Sequence, residues 1–251
     1  ALLPLQHPVD LAEQTATLDI LSGGRFILGV ALGYREVEYE SFGLKKAERL
    51  SRFVESLGLM KRLWTEDSVT HQGRHFSLNE ASMAIRPLQK PYPPIWIGGN
   101  TDAMVQRAAR LGHPWLANPH AHINTLERQL ELYRQTLEEH NHTEHMVDYP
   151  IMLEGYVAQS KSQALQIAGP HLEAKYRAYS EWGQDKVMGD ESFDTTIEKL
   201  VPGRYILGSP QECIDLIRKY QERLGVNWMI LRLQWPGLRT AEALRAIELL
   251  G

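Results

Sequence analysis

Short apolar runs in this chain alternate with longer stretches in which apolar residues recur every three or four positions, the pattern of buried strands joined by amphipathic helices. Strand signals lie at residues 1–4, 26–31, 95–98, 114–117, 150–158 and 226–233. His7-Pro8 opens a helix, because proline suits a first helical turn; its apolar stripe runs through Val9, Ala12, Ala16 and Ile20 and stops at Gly23-Gly24. The clearest amphipathic helix covers 45–64, where Leu50, Phe53, Val54, Leu57, Met60 and Trp64 fall three and four apart. Further helices are expected near 124–140 and over 160–179. In GSPQECIDLI, Ser209 is placed as an N-cap, Pro210 at the first helical position and Glu212 in a capping box. VTHQGRHFSL alternates about Gln72-Gly73 as a β-hairpin does. Residues 180–203 carry no sustained periodicity and are expected to form a long surface excursion, a lid or disordered loop.

One segment combines several of these signals. In PPIWIGGNTDAMVQRAARLG, Pro93-Pro94 punctuates the start and Ile95, Trp96 and Ile97 form a run suited to a strand covered on both faces. Gly98-Gly99 then permits a tight turn, Thr101 sits where an N-cap belongs, and a helical pattern continues to Gly112. A glycine-led helix start at the carboxyl end of a strand offers free N–H groups and a positive dipole end to an anion such as phosphate. An ordinary strand-to-helix turn is the alternative reading of the same residues.

Buried strands separated so regularly by helices predict an α/β protein with a parallel sheet. A closed (β/α)8 barrel and an open doubly wound sheet both fit the spacing. The net charge of −4 offers no footprint for nucleic acid or an anionic membrane, and no apolar run has the length to cross a bilayer. A soluble, cytoplasmic protein is expected. The single cysteine, Cys213, excludes an internal disulfide framework and lies on an apolar helical pattern, as a buried structural thiol does. The polar run EEHNHTEH, holding His140, His142 and His145, reads as a fraying helix end rather than a metal site, so no metal is expected; His120, after a strand's carboxyl end, is placed at the border of a pocket. ALLPLQHP has neither an initiator Met nor a signal-peptide layout, so the chain is expected to start mid-fold.

Several segments together resemble the luciferase-like flavin-dependent monooxygenases, a family that includes deazaflavin-linked oxidoreductases. They are LPLQHPVDLAEQTATLDILSGGRFILGVALGYREVEYESFG, LWTEDSV, PPIWIGGNTDAMVQRAARLG, GSPQECIDLI and NWMILRLQWPG, in the family's order and spread over nearly the whole chain. The resemblance implies a single (β/α)8 TIM barrel over 1–251 that lacks its first two strands, with the insertion after the seventh strand at 180–203. It also implies a homodimer, a small-molecule substrate and a flavin reductase as partner.

The implied cofactor is reduced FMN, used with oxygen, or alternatively the deazaflavin coenzyme, used for hydride transfer without oxygen. Its ring would lie against Ala31, Leu32, Gly33 and Tyr34, where small residues let a plane approach the backbone; its phosphate would sit in the turn of Gly98, Gly99, Asn100 and Thr101. At the positions of Ala31 and Leu32 bacterial luciferase carries a cysteine and a phosphate-holding arginine, so its ionic grip does not carry over. The candidate catalytic residues are His7, Arg232 and Trp235. His7 faces the ring or caps its helix, Arg232 steers an anionic substrate, stabilises a peroxide-like charge or forms a rim salt bridge, and Trp235 faces substrate or packs at a chain corner. A flavin-binding barrel without catalysis and a barrel for another phosphorylated ligand are the remaining readings.

Overall fold

The computed structural model describes residues 1–145, 148–187, 191–193 and 195–251. They gather into two compact units, Ala1–Gly98 and Gly99–Gly251.

In the first unit a single 3-10 turn (Leu3–Leu5) leads into α1 (Pro8–Leu21), β1 (Leu28–Ala31), α2 (Glu36–Ser41) and α3 (Arg49–Thr65); a hairpin of β2 (Val69–Gln72) and β3 (Ser77–Ala81) and the strand β4 (Ile95–Gly98) follow. β1 pairs with β4 in parallel, Leu28 opposite Ile95 through Ala31 opposite Gly98. The hairpin is antiparallel with His71 opposite Leu78, as its alternation predicts. α3 buries Phe53, Leu57, Met60 and Trp64, the face its periodicity marks, while Leu50 and Val54 stay exposed. The Trp64 indole N–H, carried into that core, donates to the Ala12 carbonyl at 3.0 Å and so joins α3 to α1. The expected strand at 1–4 is reduced to one bridge, Leu2 with Ala31, because the chain turns into the 3-10 segment at Leu3.

The second unit runs α4 (Asp102–Arg110), β5 (Trp115–Leu116), α5 (Ile123–Glu139), β6 (Pro150–Val157), α6 (Lys161–Glu181), α7 (Ile197–Leu200), β7 (Tyr205–Gly208), α8 (Pro210–Leu224), β8 (Trp228–Arg232) and α9 (Thr240–Glu248). β6 is its hub. Pro150–Glu154 pair in parallel with β8, and Glu154–Val157 pair in parallel with β7 on the opposite edge. Since β8 fills one edge at Ile151, the bridge from Ala117 to Ile151 must use the edge that β7 shares farther along. β7 therefore continues the line of β5 and does not separate β6 from β8.

Three expectations need correction here. β7 gave no strand signal in the sequence reading, because YILG is four residues long and merges into the capping signal of α8. The excursion 180–203 is not wholly a surface loop: Phe193, Ile197, Leu200 and Val201 are buried and include the short α7, whereas 188–190 and 194 lie outside the described residues. The last strand, read as apolar and buried, leaves Trp228 and Ile230 exposed, because β8 lies at the edge of its sheet. α8 starts with the full capping box of Ser209 and Glu212 and ends at Gly225, whose φ of 68° is the left-handed conformation a helix stop favours. No helix among the described residues is long and apolar enough to cross a membrane.

Candidate active site

In the first unit, β1 alternates between buried Leu28 and Val30 and half-exposed Gly29 and Ala31, so one face of its carboxyl end carries small residues only. A Cβ built on Gly29 would meet nothing within 4 Å, which leaves that face open to a flat group. Leu32 and Gly33 continue it, half-exposed, and Tyr34 is exposed. Gly33 has a φ of 78° and lies against the Leu2 side chain, and the Tyr39 hydroxyl donates to the Leu32 carbonyl, so the loop is fixed by its own contacts. His7 is the N-cap residue of α1 but its side chain makes no capping hydrogen bond; the ring is exposed and meets Phe76 edge-on at 5.5 Å.

At the start of the second unit, Thr101 caps α4 by accepting from the Met104 N–H at 3.3 Å. The preceding carbonyls are also engaged: Gly99 accepts from the Trp115 indole at 2.9 Å and Asn100 from the Gln129 amide at 2.8 Å. Gly99 has to be glycine for packing alone, since an added Cβ would stand 2.5 Å from the Met104 Cβ. Asp102, at the first helical position, is held by two hydrogen bonds from Arg128 at 2.7 and 2.9 Å. That pairing holds its carboxyl below the usual range and turns its charge toward Arg128.

The strongest concentration of chemistry lies around Glu154 in the middle of β6. Its side chain is 0% exposed and accepts from the Trp235 indole N–H at 2.7 Å on one oxygen. The other oxygen takes Lys175 from α6 in a close ion pair and Arg232 from the end of β8 at 3.7 Å. Tyr179 also interacts with Arg232. Lys175 is 9% exposed and Arg232 35%, so Arg232 forms the open end of the cluster. Burial pulls the Lys175 ammonium down to about 8 against the attraction of Glu154, and Arg232 beside it pushes the same way as burial. His120, buried 4.6 Å from the Tyr179 ring, is pushed down to about 3 by burial and by the charges of Lys175 and Arg232. It is neutral at any ordinary pH, and its Nδ1 is buried without a hydrogen-bond partner among the described residues. Tyr176 and Phe193 pack around it at 6.0 and 6.2 Å.

Sequence reasoning selected Arg232 and Trp235, and the structure joins both through Glu154, which it overlooked. A lone carboxylate in the otherwise apolar strand IMLEGYV was the available signal, since a charge there must find partners. Lys175 and Tyr179 had no comparable mark on a mixed helix. Outside this cluster, Cys213 is buried as expected, with its thiol pushed up to about 11 by burial. His140 shares a ring nitrogen with the Thr136 carbonyl at 3.0 Å, and the described residues contain no group able to hold a metal ion.

Comparison with known proteins decides the family. The profile of the luciferase-like monooxygenases matches residues 1–227. The chain belongs to that family. This luciferase-like chain is 29% identical over 232 residues to 4-hydroxyprotoasukamycin monooxygenase of Streptomyces nodosus subsp. asukaensis, covering 89% of this chain and 62% of the relative. It is 26% identical over 234 residues to the oxygenase component of a flavin-dependent trigonelline monooxygenase of Acinetobacter baylyi, covering 87% and 64%. An F420-dependent glucose-6-phosphate dehydrogenase of Kineococcus radiotolerans is 29% identical over 164 residues, 64% of this chain and 48% of that enzyme. The chain thus spans less than two thirds of each of these relatives. Among solved structures, the monooxygenase RslO1 of Streptomyces bottropensis superposes with a TM-score of 0.82 at 25% identity, covering 98% of this chain and 73% of that one. The fold is the TIM-barrel type of this family; within each unit the described parallel strands form open arrays rather than a closed ring, and the first unit adds the antiparallel hairpin of β2 and β3. The family contains flavin-dependent and F420-dependent oxidoreductases alike.

Proposed function

We propose that this luciferase-like chain is an oxidoreductase that uses reduced FMN and oxygen to oxygenate a small organic substrate, with a separate flavin reductase supplying the reduced cofactor. The family match carries this reading, together with the names of two relatives, one a monooxygenase and the other the oxygenase component of a monooxygenase. Reduced flavin supplies two electrons to dioxygen when bound. The residues present suit such a group. The small-residue face of Gly29, Ala31, Leu32 and Gly33, next to Tyr34, is assigned to the flat ring. The turn of Gly98, Gly99, Asn100 and Thr101 is assigned to the phosphate. The Gly99 and Asn100 carbonyls are engaged elsewhere and Thr101 takes the Met104 N–H, which leaves the N–H groups of Asp102 and Ala103 without an acceptor inside α4. With Leu32 offering no charge, this grip rests on backbone dipoles rather than on an ion pair.

Arg232 and Trp235 are retained as the candidate catalytic residues of the second unit, and His7 as that of the first. We place the protein in the cytoplasm and expect it to act as a homodimer. F420 is the second reading, favoured by the F420-dependent relative.

Titrating the cofactor-free protein with FMN, riboflavin and F420, followed by visible absorbance and fluorescence, tests the assignment. FMN should bind about tenfold or more tightly than riboflavin, because riboflavin lacks the charged acceptor for the α4 turn. Equal affinities would remove the phosphate from that turn. Binding of F420 alone would transfer the reading to the deazaflavin branch, and binding of no member of the set would end it.

A further inference from the structure

The buried cluster around Glu154 does not balance. Lys175 and Arg232 bring two positive charges to one carboxylate, and among the described residues neither is ion-paired with any other acid. Both oxygens of Glu154 are already engaged: one serves both cations and the other the Trp235 indole. His120, which faces the same cations, contributes no charge. An unmatched positive charge in a largely dry setting is costly unless a negative group approaches it. The surplus has an outlet only at Arg232, the cluster's least covered member. Beside it stands the half-buried ring of Tyr179, with the Trp182 ring, just past the end of α6, 5.6 Å from it. The Nδ1 of buried His120, 4.6 Å ring to ring from Tyr179, has no hydrogen-bond partner among the described residues.

We infer that Arg232, supported by Lys175, is the anchor for an anionic oxygen group, a carboxylate above all, on the organic substrate of this oxidoreductase, with Tyr179 flanking the flat or apolar part of the molecule. This rests on the reading of the chain as an oxidoreductase acting on a small organic molecule, and it narrows that substrate to acids or their close analogues. Glu154 then acts as a positioning residue: it holds both cations in place and, by partly neutralising them, keeps the anchor from binding its ligand irreversibly. Trp235 holds Glu154 in turn.

Isothermal titration of the cofactor-free protein with benzoate and with its neutral isostere benzamide tests this apart from any flavin chemistry. Benzoate should bind about tenfold or more tightly than benzamide, the difference a charge-assisted hydrogen bond makes. R232Q should abolish that preference and R232K should keep most of it. A second measurement needs no variant. The benzoate affinity of the unchanged protein should fall between about pH 7 and about pH 9.5, as Lys175 loses its proton and the surplus charge with it. The groups facing Lys175 through this range are Glu154, Arg232, Tyr176, Tyr179 and neutral His120. Equal binding of the two probes, a preference that survives in R232Q, or no benzoate binding at neutral pH would each overturn the anchor. None of these outcomes touches the flavin titration, whose failure would instead remove the oxidoreductase reading while leaving the anion preference measurable.

Discussion

At the scale of single residues, Glu154 decides more than any other side chain. Its carboxylate is the sole counter-charge for Lys175 and Arg232 among the described residues, and all three lie mostly out of water. Replacing it by Gln keeps the volume and removes the charge, so two cations are left facing one another. Breaking a buried pair in this way costs about 3–5 kcal/mol, and E154Q should lower the urea midpoint accordingly. W235F removes one charge-assisted hydrogen bond and should cost less, about 1.5–3 kcal/mol. A W235F loss as large as that of E154Q would mean that the indole, not the carboxylate, holds the cluster together. The sequence made the outer members of this cluster visible, since Arg232 and Trp235 stand in a strand end broken by Pro236-Gly237. It hid the centre, because whether a lone Glu in a strand faces inward depends on which edge and face the neighbouring strands occupy.

At the scale of elements, the excursion between α6 and β7 shows what periodicity reads and what it misses. Its described part is tied down by Glu191. That carboxylate accepts from the His122 N–H at 2.8 and 3.1 Å and from the Thr125 hydroxyl at 2.6 Å, so it caps the start of α5 from a distant part of the chain. Arg204 completes the latch with a 2.7 Å bond to the same group, and both side chains are nearly covered. E191Q should therefore loosen the segment. Limited trypsin digestion at sites such as Lys199 and Arg204 should become faster in E191Q while global stability to urea falls by less than in E154Q, about 1–3 kcal/mol. Unchanged cleavage would show that Phe193, Ile197 and Leu200 hold the segment by apolar packing alone. Such a latch is invisible to pattern reading, since it pairs residues 69 positions apart with no period. The helices were legible because each carries a long apolar stripe or a chemical cap: Ser209 and Glu212 for α8, Thr101 for α4. β7 was not, because four residues give no period to count.

At the scale of the whole molecule, several buried titratable groups set opposing slopes on stability against pH. Lys175 has its value lowered from 10.5 to about 8. Between those limits the unfolded chain binds the proton that the folded chain has released, so stability rises with pH by about 1.4 kcal/mol per unit. Cys213 has the opposite sign. Its thiol is raised from 9.0 to about 11, so the folded chain keeps a proton that the unfolded chain loses, and stability falls through that window at a similar rate. Buried Tyr133 and Tyr220, both raised from 10.0 by burial, add further losses above pH 10. Summed, the three effects predict a climb from about pH 8 to about pH 9, a level stretch to about pH 10 and a fall beyond it. Urea midpoints measured across this range should trace that shape. K175M should erase the climb, because its side chain no longer titrates, and C213S should turn the level stretch into a continued rise. A wild-type profile that stays level to about pH 9 and declines beyond it would mean that Lys175 keeps its proton in the folded state, held by Glu154 more strongly than burial opposes it. The surplus charge that draws an anion to Arg232 would then persist through the same range, so the stability profile and the pH dependence of benzoate binding must move together.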